Sequence, residues 1–194
     1  EVGTTGGKIT VEGNVIGGSG NASGTLDSNG EVKKVEVKGN VRGGQGVGSG
    51  QISSADGIPD LDIGGSLVGG TAPQSGAIFA GIGNTTATIG GNILGGNQAF
   101  TGRIKFDSVL SGNLNSGTLN LGGSIVGGPA SESGGVNATA DLYINIRGNL
   151  IGGDVTGATS ANRTGFLLAG HIEWFQLTGS VVSGNNAGIG LLEN

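Results

Sequence analysis

Ile9-Thr10-Val11-Glu12-Gly13-Asn14-Val15-Ile16-Gly17-Gly18 recurs 26 residues later as Val35-Glu36-Val37-Lys38-Gly39-Asn40-Val41-Arg42-Gly43-Gly44. After 26 more it becomes Leu61-Asp62-Ile63-Gly64-Gly65-Ser66-Leu67-Val68-Gly69-Gly70. Further copies centre on Gly91-Asn92, Gly123-Ser124, Gly148-Asn149 and Gly179-Ser180. A fixed period in this range marks a solenoid, in which each repeat buries its apolar side only against its neighbours.

Within each copy the two residues at positions four and two before the glycine are apolar, from Ile9/Val11 and Val35/Val37 through to Phe175/Leu177. The residues between them (Thr10, Glu36, Asp62, Thr88, Asn120, Asn145, Gln176) are polar. Strict alternation with one buried face predicts a β-strand. A second landmark follows: Gly24, Gly50, Gly76, Gly102 and Gly134 stand eleven residues after a phrase glycine, each two residues before an apolar one. Such a unit holds about three short strands plus corners, and units stack at roughly 4.8 Å, the strand spacing of a sheet. The expected fold is therefore all-β: one right-handed parallel β-helix over residues 1–194, with about seven coils of about 26 residues. Two units run about six residues longer than the rest, and their extra pieces, near Ser111–Ser116 and Gly157–Arg163, are small and polar, as loops bulging from a coil would be. A leucine-rich repeat shares the Ile9-x-Val11-x-x-Asn14-x-Ile16 spacing. Its second half would be helix or leucine-bearing turn, however, and Ser19-Gly-Asn-Ala-Ser-Gly24 is a poor helix former.

Asn14, Asn40, Ser66, Asn92, Ser124, Asn149 and Ser180 occupy one station and predict a structural ladder. Asn suits left-handed corners, and its amide can bond the same amide one coil away. Next to the inward residues Val15, Val41, Leu67, Ile93, Ile125, Leu150 and Val181 stands a second column, Ile16, Arg42, Val68, Leu94, Val126, Ile151 and Val182, which alternation turns outward. An exposed aliphatic stripe of that length would mark a lateral contact; a corner turning both neighbours inward is the alternative.

Glycine supplies 46 of the 194 residues, and charged residues only 12%. The apolar residues nonetheless keep fixed stations, so the glycines read as corners rather than as a disordered tract. A net charge of −5 and a pI near 4.7 argue against a nucleic-acid partner, which needs a basic stripe. No run approaches the roughly 20 apolar residues of a membrane span. Cysteine is absent, which is compatible with several compartments. Methionine is absent too, and the chain opens just before one phrase and stops at Gly190-Leu191-Leu192, where another unit begins, so it reads as a segment of a longer repetitive protein.

Ile63-Gly-Gly-Ser-Leu-Val-Gly-Gly70, Ser75-Gly-Ala-Ile-Phe-Ala80 and Leu121-Gly-Gly-Ser-Ile-Val-Gly-Gly128 resemble the repeats of large secreted bacterial β-helix proteins. That broad class comprises filamentous-haemagglutinin-like adhesins, autotransporter passengers, and surface-layer or matrix proteins. The resemblance covers almost the whole chain. It implies an extracellular or cell-surface location and a structural or adhesive role, and it transfers no functional residues. Neighbouring coils of the same parent protein, self-association and surface polysaccharide are the partners expected of such a segment.

Chemistry has few places to reside. Stacking sets Glu36 beside Asp62 and Lys34 beside Asp60, so Glu36, Asp60 and Asp62, with Asp56 near them, form a candidate calcium site. The competing reading is a solvated face of lysine–carboxylate pairs. His171 is the only histidine, so no His-based metal cluster or triad is expected, and no cofactor or catalytic residue is assigned. Tyr143 and Trp174 each fall five residues before a phrase glycine and should project side by side with Asn145, Arg147 and Gln176 around them. An exposed aromatic pair of this kind suits stacking on a sugar ring; an aromatic ladder covering the sheet is the alternative. Four Asn-x-Ser/Thr sequons (Asn21, Asn84, Asn137, Asn162) are expected in or near corners or inserts.

Overall fold

The computed structural model describes residues 6–107, 116–154, 163–184 and 192–193. Its first coil comprises β1 (Lys8–Val11), β2 (Val15–Ile16) and β3 (Leu26–Ser28), and its second β4 (Lys34–Val37), β5 (Val41–Arg42) and β6 (Ile52–Ser54). Coil three holds β7 (Asp60–Ile63), β8 (Leu67–Val68) and β9 (Ile78–Ile82), and coil four β10 (Thr85–Ile89), β11 (Ile93–Leu94) and β12 (Arg103–Asp107). In coil five β13 (Ser116–Leu121) and β14 (Ile125–Val126) lead into β15 (Ser133–Ile146), a 14-residue strand. β16 (Leu150–Ile151) leads into β17 (Thr164–Leu177), and β18 (Val181–Val182) and β19 (Leu192–Glu193) follow. All pairing is parallel, and each strand pairs with its equivalents on adjacent coils, so the chain forms an all-β parallel solenoid.

Three ladders run along the axis. The first stacks β1, β4, β7, β10 and β13, then the second halves of β15 and β17; the second, β2 through β18, is seven strands deep. The third stacks β3, β6, β9 and β12, then the first halves of β15 and β17, then β19. The first and third are separate in the early coils and become one sheet where β15 and β17 run through the corner without a break. The register confirms the repeat: Ile9 faces Val35, Val35 faces Leu61 and Leu61 faces Ala87. The next step, Ala87 to Leu119, spans the first longer unit. The polar pieces at 111–115 and 157–162 lie outside the described residues.

The core is the set of inward stations. Val35, Val37, Leu61, Ile63, Ile89, Ile93, Leu119, Leu121, Ile144 and Ile146 are all buried, each contributing roughly 1.5–3 kcal/mol by leaving water. The end coils are less covered: Ile9, Val11, Phe175 and Leu177 are only partly buried. Val181, expected inward, is 56% exposed because, among the described residues, β18 lies at the edge of its ladder with β16 as its one partner strand. The neighbouring column does face outward, with Ile16 58% and Val182 43% exposed and Arg42 also exposed. In the middle coils Val68, Leu94, Val126 and Ile151 are half-buried, so the stripe is shallower there than alternation alone suggests.

The polar ladder stands where expected, and its continuous bond runs from side-chain oxygen to backbone N–H. Asn40 N–H donates to Asn14 Oδ1 at 2.7 Å, Ser66 N–H to Asn40 Oδ1 at 2.8 Å, and Asn92 N–H to Ser66 Oγ at 2.9 Å. The same bond continues through Ser124, Asn149 and Ser180. Side-chain oxygen thus meets backbone N–H of the next coil; an amide–amide contact accompanies it at Asn14–Asn40, where Asn40 Nδ2 donates to Asn14 Oδ1 at 3.3 Å. None of these Asn residues has a positive φ, so left-handed geometry is not the reason for them. The preceding glycine is explained at once. A Cβ on Gly91 would lie 2.3 Å from Ser66 Oγ, and one on Gly39 2.3 Å from Asn14 Oδ1.

The second landmark glycine has another cause. Gly76 has a φ of 60°, and a Cβ there would lie 2.0 Å from Val68 O; Gly24, Gly50, Gly102, Gly134 and Gly165 repeat the pattern. Before each stands Ser or Thr, a column that periodicity of apolar residues did not reveal. Gly44 N–H donates to Ser49 Oγ at 3.0 Å, Gly70 N–H to Ser75 Oγ at 3.2 Å and Gly96 N–H to Thr101 Oγ1 at 2.9 Å. These hydroxyls are buried and satisfy corner amides that strand pairing leaves over.

Ile89→Asp places an unpaired carboxylate in the centre of the core and is expected to lower the unfolding free energy by more than about 4 kcal/mol, read from urea denaturation. Ser66→Ala is expected to cost about 1 kcal/mol through the lost bond to Asn92 N–H. Gly91→Ala costs more in the native background than in Ser66→Ala, because the oxygen it collides with is then gone. A double-mutant cycle that closes additively would refute that steric link.

Candidate functional site

The outer face of the first ladder gathers most of the chain's distinctive side chains. Alternation turns Lys8, Lys34, Asp60, Thr86, Thr118, Tyr143 and Trp174 into one column. A parallel column comprises Thr10, Glu36, Asp62, Thr88, Asn120, Asn145 and Gln176. Charge concentrates at one end, hydroxyls and amides in the middle and aromatics at the other end.

At the charged end, Lys8 Nζ lies 2.7 Å from Glu36 Oε2, Lys38 pairs with Glu36 Oε1, and Lys34 Nζ lies 2.8 Å from Asp60 Oδ2. The hydrogen bonds from Lys38 and then Lys8 hold the Glu36 carboxyl down from the usual 4.5 to about 2. Reciprocally, Glu36 raises Lys38, and the bond to Asp60 raises Lys34. A calcium ion at Glu36, Asp60 and Asp62 would have to displace these ammonium groups, whereas hard cations need six or more free oxygens.

At the far end Tyr143 and Trp174 face each other across β15 and β17, 40% and 48% exposed. Between the two ends lies a groove of about 370 Å³, lined by Thr88, Gly90, Asn120, Gly122, Asn145 and Arg147. Gly90 and Gly122 contribute no side chain to it, where the equivalent positions on other coils carry Glu12, Lys38, Gly64, Arg147 and Thr178.

One grouping escaped the sequence reading, which found in a lone histidine no metal cluster. Asp141, His171 and Glu173 bring one ligand atom each to within 4.8 Å of one another. The pairing explains it. Asp141 faces His171 and Leu142 faces Ile172, but Tyr143 faces Trp174, so Glu173 is an extra residue on β17. A β-bulge puts two consecutive side chains on one side, and Glu173 and Trp174 are accordingly both exposed beside half-buried Ile172 and Phe175. The His171-x-Glu173 spacing was visible; the 30-residue offset to Asp141, one short of the Tyr143–Trp174 offset, was not.

Of the sequons, Asn21 lies in a turn and Asn84 between β9 and β10, as expected, whereas Asn137 lies within β15. Asn162 falls outside the described residues. The chain matches no family model, no curated protein and no solved structure. The fold therefore defines its class: a parallel β-solenoid with a polar, aromatic-tipped outer face.

Glu36 titrates lower in the folded than in the unfolded chain, so its contribution is complete above about pH 4.5 and lost as pH falls towards 2. Urea midpoints measured from about pH 5 down to pH 2 should therefore fall less steeply in Glu36→Gln. The difference is small and shrinks with added salt, because the lysine partners are half-exposed.

Proposed function

We propose that the chain is a non-catalytic structural segment of an extracellular bacterial surface, adhesive or matrix protein. The carrying observation is the unbroken seven-strand second ladder, β2 to β18, whose inward residues are aliphatic and whose corner amides are bonded coil to coil. Seven strands at about 4.8 Å span roughly 29 Å of rigid axis. Such a body resists bending and repeats one surface along its length, as a spacer or a display rod requires. Further coils of the parent protein, or a second copy, are its natural axial partners, because among the described residues each end strand of this ladder is paired along one edge only.

A second reading, carbohydrate binding, is favoured by the register of Tyr143 with Trp174 beside a groove lined by Thr, Asn and Arg. Aromatic faces suit the apolar face of a sugar ring, and amides and hydroxyls suit its hydroxyl groups. The two readings separate on a polysaccharide array. As a spacer the chain retains no polysaccharide. As an adhesive face it retains one or more, and Tyr143→Ala/Trp174→Ala weakens retention by at least roughly tenfold without altering the circular-dichroism spectrum. Saturable turnover of a polysaccharide, abolished by replacing Asp60 or Asp62, would overturn the non-catalytic reading.

A further inference from the structure

We propose that Asp141, His171 and Glu173 form a binding site for a divalent transition-metal ion of the zinc type, clamping the seventh coil to the sixth. His171 Nδ1 lies 3.1 Å from Glu173 Oε1 and 3.6 Å from Asp141 Oδ1. Zinc bonds imidazole nitrogen and carboxylate oxygen at about 2.1 Å, and tetrahedral geometry then separates neighbouring donors by about 3.4 Å. Both observed separations bracket that value. The third, Asp141 to Glu173, lies within 4.8 Å and closes by carboxylate rotation.

The donor set also selects the metal. Imidazole nitrogen with two carboxylates suits zinc, copper or nickel, whereas calcium and magnesium favour all-oxygen shells. Asp141 comes from the sixth coil and His171 and Glu173 from the seventh, so an ion here joins two coils. Two carboxylates converging on one point repel each other, and a dication relieves this more fully than the single proton of an imidazolium. His171 is 56% and Glu173 39% exposed, which leaves an entry path and a fourth coordination position open to water. The bulge at Glu173 is what completes the set: with regular pairing, one of Glu173 and Trp174 would turn inward.

The test is calorimetric titration of zinc chloride into the chain, with imidazole signals followed by NMR; a single histidine makes the assignment unambiguous. The expected result is one ion per chain with a Kd below about 100 µM, shifted His171 signals and a raised melting temperature reversed by EDTA. His171→Ala should weaken binding at least roughly tenfold, and Asp141→Asn and Glu173→Gln should each weaken it as well. Lys34→Ala, at the opposite end of the face, should leave it unchanged. Because the three ligands lie at the surface, folding of each variant is checked by far-UV circular dichroism. Absence of saturable one-to-one binding overturns the proposal, as does undiminished zinc affinity in His171→Ala. Unchanged affinity in Asp141→Asn overturns the clamp between coils.

Discussion

Every residue of a stacked coil sits about 4.8 Å from its equivalent above and below, and this axial proximity governs what each station accepts. At the phrase corner the side-chain oxygen of one coil reaches the backbone N–H of the next, and it does so through the space a Cβ would fill on the preceding residue. Gly and Asn/Ser are therefore one device distributed over two coils. The glycine of the upper coil admits the oxygen of the lower, and neither residue type is explained by its own coil alone. Corner amides that strand pairing leaves over are satisfied, and strands on either side enter the core in register.

The left-handed corner repeats this logic with other residues. Glycine is required by both its φ and the carbonyl beside it, and the Ser or Thr before it caps a corner amide within the same coil. Aliphatic side chains, joined by Phe106 and Phe166, then fill the interior. A buried exception is Arg103, whose guanidinium stacks near Phe79 and Phe100 and pairs with Glu132. Its charge is balanced by a carboxylate and two aromatic faces, in keeping with the rule that buried charges are partnered.

Regular stacking makes the outer face a set of columns, and the chain's rarest side chains stand where that regularity fails. From coil five onward the strands of two ladders fuse through β15 and β17, and compensating bulges shift the pairing by one residue and back. That irregular patch holds the sole histidine, tyrosine and tryptophan together with two carboxylates. Local departures from an otherwise consistent design are where functional features concentrate. The patch and the groove beside it share one face, so an adhesive contact and a metal clamp would act side by side.

Most of the architecture was legible in the chain because a solenoid's long-range contacts are its repeat period: once Gly13, Gly39, Gly65 and Gly91 align, so do Ile9 with Val35 and Lys34 with Asp60. The inward aliphatics, the Asn/Ser station and the Tyr143–Trp174 pair followed from that alignment alone. Bond partners did not, because Asn14 could reach an amide side chain or a backbone N–H with equal ease on paper, and in the folded corner its Oδ1 accepts the backbone N–H at 2.7 Å and the amide side chain at 3.3 Å. The extent of the outward stripe was undecided too, since alternation gives the side a residue faces and not how far it is covered, and Val68 and Leu94 are half-buried. The Asp141–His171–Glu173 cluster was beyond reach of periodicity, because a bulge changes which residues share a side without changing the repeat. Period and alternation thus determined the coil, its core and its columns; backbone geometry at corners and bulges decided which polar atoms meet.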